Sequence, residues 1–350
     1  MRIDGTPISD RSVYFIAEAG VNHNGDLQTA RRLIDAAVES GADAVKFQSY
    51  VAEELVASDA PKAEYQDEAV EEKSQLEMLR EYELSRDEQR DLMSYCDEVG
   101  ITFLSTPFDR ESAAFLDECD VDAIKIGSGE LNNYPLLETV AAMDRPAIVS
   151  TGMATMSEVV DAYEIFAEAG TDDQLVMLHC TSSYPASIEH VNLRSMRAMD
   201  DALPIPIGYS DHTQAVETPA LAVAAGATVI EKHLTLDRSM EGPDHQASME
   251  PDDLSESISL ARTAAVARGR PDKRVTPPEE EIKFVARKGL YAREPVEAGQ
   301  TFTRENVAIK RPARGLPPTE YETVLGSRAA TTLERDDPIT EFAVDSPESE

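Results

Sequence analysis

Short apolar runs alternate with amphipathic segments along the first 270 residues of the chain. Eight of these runs are almost continuously apolar, as is typical of strands that are buried on both faces of a parallel sheet. They are Val13–Ala19, Ala42–Gln48, Ile101–Ser105, Val121–Ile126, Ala147–Ser150, Gln174–Cys180, Ile205–Tyr209 and Thr228–His233. We expect each run to form a strand.

The segments between these runs carry apolar residues at helical spacing. Three of them have their apolar positions at Ala30, Leu33, Ile34 and Ala37, at Val159, Ala162 and Phe166, and at Leu254, Ile258, Ala261 and Ala265. Gly41, Gly170 and Gly269 follow the three segments and are expected to end the helices. Eight strand–helix units in about 255 residues predict a (β/α)₈ barrel. A doubly wound open sheet is the alternative, but no GxGxxG sequence follows the first strand.

The pattern changes after the last of these helices. Residues 270–281, RPDKRVTPPEEE, combine Pro-Pro with a run of charges, which is typical of a linker. We therefore expect a barrel at 1–270, a linker at 271–283 and a small, β-rich domain at 284–350. Its short strand-like pieces are Gly289–Ala292, Thr301–Phe302, Val307–Lys310 and Ile339–Thr340.

Residues 50–74 form a long, acidic and poorly periodic stretch between the second strand and the next helix. We interpret it as an insertion over the mouth of the barrel. Long loops of this kind are often functional, so the stretch is either a lid or a solvated acidic loop.

The chain is strongly acidic, with 67 acidic and 32 basic residues, a formal net charge of -35 and a pI near 4.4. Such a charge repels nucleic acids and anionic membranes and argues against both as partners. The basic residues divide into 9 Lys and 23 Arg, and there is no Trp. This composition predicts adaptation to high salt, with an ordinary acidic cytosolic protein as the alternative.

Cysteine usage and the N-terminal sequence predict a reducing cytoplasm. Cys96, Cys119 and Cys180 are widely spaced and show neither metal-site nor disulfide spacing. The first 15 residues lack a signal-peptide pattern, and no apolar run approaches the length of a membrane span.

Polar residues end or follow all eight predicted strands, which is where the barrel fold places its chemistry. Lys46 and Lys125 lie on two of these strands in a chain that is poor in lysine. Together with nearby hydroxyl groups and the glycine turn GSGE they predict a site for a phosphate and a carboxylate. The hydroxyl residues are Thr106, Ser128, Ser150 and Ser210. The alternative is a structural ion pair, for instance between Lys125 and Glu130.

His212 and His233 end adjacent strands, and this pair predicts a metal site with open coordination positions. Ligand softness alone favours Zn²⁺ or Fe²⁺. A hydrogen-bonded structural role is the alternative for each residue. We expect such a structural or supporting role for the four remaining histidines, His23, His179, His190 and His245.

Nine motifs appear in order along the barrel: IAEAGVNHNGD, KFQ, STPFD, KIGSGE, STGM, HCTSSYP, GYSDHT, EKHLTLDR and MEGPDH. Together they resemble the sialic acid synthase family, which includes synthases of N-acetylneuraminic, legionaminic and pseudaminic acids. The later sequence IKRPARGLPP resembles the family's antifreeze-like SAF domain. The resemblance implies a transferase that condenses phosphoenolpyruvate with the open-chain aldehyde of an N-acetylated amino sugar, typically N-acetylmannosamine, and releases phosphate. A relative that makes legionaminic or pseudaminic acid from a 2,4-diacetamido-2,4,6-trideoxyhexose is the alternative.

The resemblance also implies roles for individual residues. His212 and His233 match the ligands of the family's metal, which is Mn²⁺ or Mg²⁺. The residues that match the phosphoenolpyruvate site are Lys46, Thr106, Lys125, Ser128, Ser150 and Ser210. The residues that match sugar-side, metal-side and catalytic groups are Glu18, Gln48, Glu130, Tyr184 and Asp244. Ser182 stands where many sialic acid synthases have Asn, next to the same substrates.

Arg311 matches an arginine of the SAF domain that reaches the N-acetyl group of the sugar in the partner subunit. The resemblance therefore implies a domain-swapped homodimer. Two other classes remain as hypotheses: a Schiff-base aldolase that uses Lys125, and a non-catalytic sugar-binding protein that retains the site.

Overall fold

All eight predicted barrel strands form in the computed structural model, which describes residues 1–58, 60–61 and 74–345. The strands of the first unit, Met1–Gly269, are β1 (Arg2–Ile3), β2 (Thr6–Pro7), β3 (Tyr14–Gly20), β4 (Ala44–Ser49), β5 (Thr102–Pro107), β6 (Ile124–Ile126), β7 (Ala147–Ser150), β8 (Leu175–Cys180), β9 (Ile207–Asp211) and β10 (Val229–His233). Strands β3 to β10 pair in parallel in chain order, and β10 pairs with β3 to close the barrel. The predicted (β/α)₈ barrel is confirmed, and the open sheet is wrong.

The helices of this unit follow the strands and cover the outside of the barrel. They are α1 (Leu27–Ser40), α2 (Ala52–Leu55), α3 (Gln75–Tyr82), α4 (Arg86–Val99), α5 (Arg110–Glu118), α6 (Tyr134–Ala141), α7 (Met156–Ala169), α8 (Arg194–Ala202), α9 (Thr218–Ala225) and α10 (Pro251–Arg268). Helix α1 shows how the sequence sets their ends. The Asp26 side chain accepts a hydrogen bond from the Thr29 N–H at its start, and Gly41 ends it with φ of 83°.

Alternation along the strands separates two cores. Side chains that point outward, such as Phe15, Val45 and Phe103, pack with the helices in the larger core. The inward-pointing side chains at the amino end form a smaller apolar layer that includes Tyr14, Ile16, Ala44, Leu104, Ile148, Val176 and Val229. Ile3 and Ile8, at the N-terminal β1–β2 hairpin, join this layer. Apolar packing therefore fills the amino end of the barrel, and the polar inward positions lie toward its carboxyl end.

The second unit spans Arg270–Glu350 and has an apolar core of its own, in which Leu290, Phe302, Val307 and Ile339 are buried. Its elements are α11 (Pro277–Ala286), β11 (Gly289–Ala292), β12 (Val307–Lys310) and α12 (Tyr321–Val324), with β11 and β12 antiparallel. Helix α11 covers the end of the predicted linker. Its prolines lie in the first helical turn, where the missing N–H group costs no hydrogen bond.

The described part of the chain contains no helix that is both long and apolar enough to cross a membrane.

Candidate active site

A cavity of about 810 Å³ opens at the carboxyl end of the barrel strands. It brings together 13 of the 15 residues that the sequence singles out: Glu18, Lys46, Gln48, Thr106, Lys125, Ser128, Ser150, Ser182, Tyr184, Ser210, His212, His233 and Asp244. They come from the ends of different strands, as expected for a barrel active site. Glu130 and Arg311 are the two that do not line it.

Lys46 lies at the centre of a buried polar cluster. Its ammonium group forms an ion pair with Glu18 and donates a hydrogen bond of 2.8 Å to Thr106 Oγ1. The side chains of Lys46 and Glu18 are almost fully buried. Burial lowers the pKa of Lys46, but the Glu18 and Glu231 carboxylates outweigh it and raise that pKa overall. Lys46 is therefore a fixed positive charge in the cavity.

Lys125 is the second buried cation. Its Nζ donates to Ser150 Oγ at 2.8 Å and lies 3.4 Å from Glu231 Oε1. The alternative ion pair between Lys125 and Glu130 does not form, and Lys125 pairs with Glu231 instead. Burial lowers the pKa of Lys125, and the carboxylate of Glu231 opposes this effect.

Glu231 is a site residue that the sequence analysis does not single out. Its carboxylate lies between the two lysines, 3.8 Å from Lys46 Nζ, and accepts a 2.9 Å hydrogen bond from Ser210 Oγ. Burial alone would raise its pKa, but Lys125 and Lys46 outweigh burial and lower it. The usable signal was spacing, since Glu231 precedes His233 by two residues and inward-facing positions alternate along a strand.

Glu18 behaves differently from Glu231. Burial is the largest influence and raises the pKa of Glu18, although Lys46 works against it. Of the two buried carboxyl groups that face the lysines, Glu18 is the one that takes up a proton more readily. It can therefore hold and move a proton inside the cavity.

The two imidazoles form a second group in the same cavity. His212 Nδ1 donates to the backbone oxygen of Thr181 at 2.9 Å, which leaves Nε2 with a free lone pair. The ring of His233 lies 5.4 Å from that of His212, centroid to centroid. Its Nδ1 is buried without a hydrogen-bond partner, 4.0 Å from Asp244 Oδ2. Burial, together with the neighbouring His212 and Lys46, holds the pKa of His233 well below its ordinary value, so the ring is neutral.

These residues fit a divalent metal ion that is only partly ligated by protein. Imidazole nitrogens with an available lone pair are metal donors, and such a role accounts for the unpartnered Nδ1 of His233. Within the described ranges, no group of three or more His, Cys, Asp or Glu side chains is arranged to hold an ion alone. Water and substrate oxygens would supply the other ligands, as in catalytic sites that keep open positions. Burial raises the pKa of the nearby Asp244 to about 6.

Tyr184 and Ser182, from the segment after β8, lie beside these groups. The ring of Tyr184 is 4.1 Å from that of His212 and meets the ring of His233 edge-on at 5.7 Å. The Oγ of Ser182 is buried without a hydrogen-bond partner. It lies so close to Gly152 that a Cβ there would be 2.2 Å away, which explains the glycine at this position. Cys180 also lines the cavity, with Sγ 3.9 Å from His212 Nδ1.

Glu130 and Arg311 lie elsewhere. Glu130 is half-buried in the short helical turn Ser128–Glu130, where it accepts a 2.6 Å hydrogen bond from Asn133 Nδ2. Arg311 is an exposed residue of the second unit and follows β12 directly. The roles that the resemblance implies for these two residues stay predictions.

The described beginning of the predicted insertion reaches the cavity, where Leu55, the last residue of α2, and Val56 line it. Met78, Leu79 and Tyr82 line the cavity from α3, the helix that follows the insertion. Residues 59 and 62–73, which include most of the predicted lid, lie outside the described residues.

Comparison with known proteins decides which barrel this is. Residues 33–273 match the model of the NeuB family, and residues 287–342 match that of the SAF domain. The chain belongs to the NeuB family. It is 43% identical over 93% of its length to N,N'-diacetyllegionaminic acid synthase of Legionella pneumophila, 92% of which is covered. Identity to the synthase of the same name from Campylobacter jejuni is 41%, with 95% of this chain and 100% of that protein covered.

A solved structure extends the likeness to the fold. The N-acetylneuraminic acid synthetase of Leptospira borgpetersenii, in complex with citrate, superposes with a TM-score of 0.72 at 34% identity. The match covers 78% of this chain and 91% of that one. The expected relationship to the sialic acid synthase family is thus confirmed.

Proposed function

We propose that this protein is a nonulosonic acid synthase. It joins phosphoenolpyruvate to the open-chain aldehyde of an N-acetylated amino sugar and releases inorganic phosphate. The observation that carries the proposal is one cavity lined both by two buried lysines with hydroxyl partners and by two neighbouring imidazoles. The first group suits a dianionic phosphate and a carboxylate, and the second suits a metal-assisted carbonyl reaction.

The lysine cluster supplies the anion-binding part of the reaction. Lys46 and Lys125 are desolvated cations, and each already has a hydroxyl partner, Thr106 or Ser150. Phosphoenolpyruvate brings the phosphate and carboxylate oxygens that such ammonium and hydroxyl groups bind. Because these groups are fixed before the substrate arrives, little reorganisation is needed at the moment of reaction.

The imidazole side supplies the aldehyde-binding part. A divalent ion, Mn²⁺ or Mg²⁺ in the family, would be held by His212 and His233 and would polarise the aldehyde oxygen. Carbon 3 of phosphoenolpyruvate forms the new bond to the aldehyde carbon, whose oxygen takes up a proton. Water adds at carbon 2, and the bond from carbon 2 to the phosphate oxygen breaks. Glu18 and Asp244, with raised pKa values, are the groups that can hold protons beside these atoms.

The acceptor is N-acetylmannosamine or a 2,4-diacetamido-2,4,6-trideoxyhexose, and one feature of the cavity favours the second. Several of its lining residues are apolar: Leu55, Val56, Met78, Leu79 and Met153. A 6-deoxy sugar with two acetamido groups presents three methyl groups to such a surface, whereas N-acetylmannosamine presents one. Among the described lining residues, Lys46 and Lys125 are the only lysine or arginine side chains, so a sugar 6-phosphate would find no third side chain of this kind.

The deciding experiment uses phosphoenolpyruvate with ¹⁸O in the bridging position. The enzyme is incubated with it, Mn²⁺ and each sugar, and the phosphate and keto-acid products are identified by mass. Cleavage of the carbon–oxygen bond puts the label in the released phosphate, and we expect the diacetamido sugar to react faster than N-acetylmannosamine. Unlabelled phosphate would contradict the proposed chemistry.

The two rival classes have outcomes of their own. A Schiff-base aldolase would form an imine between Lys125 and pyruvate, which borohydride traps as a stable adduct that Lys125→Met cannot form. A sugar-binding protein without catalysis would release no phosphate with any acceptor.

A further inference from the structure

Residues 22–26, NHNGD, follow β3 at the mouth of the barrel, yet none of them lines the cavity. Asn22 is nevertheless almost completely buried. Leaving a buried amide without hydrogen bonds is costly; the hydrogen bonds of Asn22 both come from Nδ2, and its Oδ1 is buried without a partner.

Asn22 bonds both ends of the loop that follows β10. Its Nδ2 donates to the backbone oxygen of Leu234 and to Ser248 Oγ, each at 2.8 Å. Because the Ser248 hydroxyl accepts from Asn22, its own proton is free to go to the backbone oxygen of Asp244, at 2.6 Å. One amide group is thus connected through a single serine to the backbone of a cavity residue.

Asn24 bonds the middle of the same loop. Its Nδ2 donates to the backbone oxygen of Glu241 at 2.8 Å, so its Oδ1 is the atom that accepts from His245 Nε2 at 3.1 Å. Burial lowers the pKa of His245, which keeps the ring neutral. The other nitrogen, Nδ1, then accepts from Thr235 Oγ1 at 2.7 Å. Both ring nitrogens of a fully buried histidine are satisfied.

Gly242 allows the loop to close around this histidine. A Cβ at Gly242 would lie 2.7 Å from His245 Cδ2 and 2.8 Å from Asn24 Oδ1, and its φ of 150° disfavours other residues. The loop backbone therefore packs directly against the Asn24–His245 pair.

We propose that Asn22, Asn24 and His245 are positioning residues, and that their contacts hold the carboxylate of Asp244 at the metal-binding side of the cavity. His245 follows Asp244 directly, and the Ser248 hydroxyl donates a hydrogen bond to the backbone oxygen of Asp244. The Asp244 carboxylate lies 4.0 Å from His233 Nδ1, so a small shift of the loop moves it away from that position. This inference rests on the proposed function, in which Asp244 serves the sugar side of the reaction.

The test compares His245→Leu and Asn24→Leu with the conservative variant His245→Gln, whose amide nitrogen can replace Nε2. We expect the KM for the sugar to rise about tenfold to 100-fold in the leucine variants, as a misplaced site group can cause. The KM for phosphoenolpyruvate should stay within about twofold, because the lysine cluster is not touched, and His245→Gln should recover part of the loss. Hydrogen exchange of the backbone at 234–249 should be faster in both leucine variants.

Thr228→Val is the matched control. Its hydroxyl is buried and donates to the backbone oxygen of Ile207 at 3.0 Å, at the amino end of β10, away from the cavity. The Thr228→Val variant loses one buried hydrogen bond and should change neither of the two KM values nor the hydrogen exchange of the loop.

The possible results test different parts of the proposal. If backbone hydrogen exchange at 234–249 is unchanged in the leucine variants, these contacts do not restrain the loop. If exchange is faster but the KM values for the sugar and for phosphoenolpyruvate rise equally, the contacts do not act specifically on the position of Asp244. A wild-type protein that exchanges as expected but condenses no sugar would overturn the proposed function instead.

Discussion

Lys46 and Lys125 are buried cations held by two buried carboxylates, Glu18 and Glu231. Taking an ion out of water costs several kcal/mol, and an unpaired buried charge is strongly destabilising. The four groups therefore stabilise one another while the cavity holds no substrate. A dianionic substrate can enter because Glu18, with its raised pKa, can give up its charge by taking a proton.

Lys46→Met and Lys125→Met should each weaken phosphoenolpyruvate binding. A hydrogen bond to a charged group contributes about 1.5–3 kcal/mol, so the KM for this substrate should rise roughly tenfold or more. Steady-state kinetics at saturating sugar measures the change. Lys283→Met, at a half-exposed lysine of α11, is the control and should leave KM unchanged. Unchanged KM values in both cavity variants would refute the role.

His212→Ala and His233→Ala should each lose bound metal and nearly all turnover while remaining folded, because each removes one of the two imidazoles that we propose hold the ion. Equilibrium dialysis with Mn²⁺ measures the binding directly. His190→Ala changes an exposed imidazole outside the cavity and should bind the ion normally. A variant of either cavity histidine that keeps both metal and rate would show that the site is misassigned.

Strand alternation explains how far individual site residues could be predicted. It places the strand-top residues Lys46, Lys125, Ser150 and Ser210 in one cavity, as the structure shows. The same alternation places Glu231 in the cavity, but its pairing with two lysines depends on distances between side chains of different strands, which sequence spacing does not give. The partner choice of Glu130, which bonds Asn133, has the same origin.

At the scale of elements, a lysine of β10 stabilises the turn between β9 and α9. Lys232 Nζ lies 2.6 Å from Asp211 Oδ2 and also donates to the backbone oxygen of Thr213. Asp211 accepts from the Thr213 N–H at 3.0 Å as well. His212 lies between Asp211 and Thr213, so this buried ion pair sets the backbone that carries one of the two cavity imidazoles.

Lys232→Met should destabilise the protein by about 3–5 kcal/mol, because it leaves the buried carboxylate of Asp211 unpaired. Urea unfolding measures the change. The double variant Lys232→Met/Asp211→Asn removes both charges and should recover much of the stability. If the double variant is less stable than the single one, the loss does not come from an unpaired charge.

The major elements are predictable because their signals are local. Each barrel strand is a run of apolar residues, and the glycines at 41, 170 and 269 do follow the ends of α1, α7 and α10. The β1–β2 hairpin gives no such signal, since its strands have two residues each and its effect comes from Ile3 and Ile8 packing into the barrel. Helix α2 has four residues, too few for a helical period to show.

At the scale of the whole molecule, a net charge of -35 should make folding depend on salt. In molar salt the Debye length is about 3 Å and most surface repulsion is screened, whereas at 0.01 M it is about 30 Å. We expect the melting temperature and activity to fall when KCl is reduced below a few tenths molar. Sucrose at equal osmolality should not replace the salt. Full stability in dilute buffer would make this an ordinary acidic protein.

The SAF-domain arginine gives the second prediction at this scale. The resemblance implies that Arg311 completes the site of a partner subunit in a C₂ dimer. Chains with Arg311→Ala and His212→Ala should each be inactive, and unfolding and refolding them together should restore activity. Random pairing gives one intact site in half of the dimers, so about a quarter of the wild-type rate is expected. Mixtures as inactive as their parents would show that Arg311 acts within its own chain or outside the site.

The charges of Lys46, Lys125, Glu18 and Glu231 cancel when all four are ionised, and all four side chains are almost fully buried. Dissolved ions therefore screen the acidic exterior more strongly than the charges inside the cavity. Exterior and interior can change independently in evolution: substitutions at surface carboxylates can carry such an enzyme between fresh water and brine while its substrates and reaction stay the same. A search for the acceptor sugar can likewise be run on a surface-neutralised variant in dilute buffer, where many coupling assays work best.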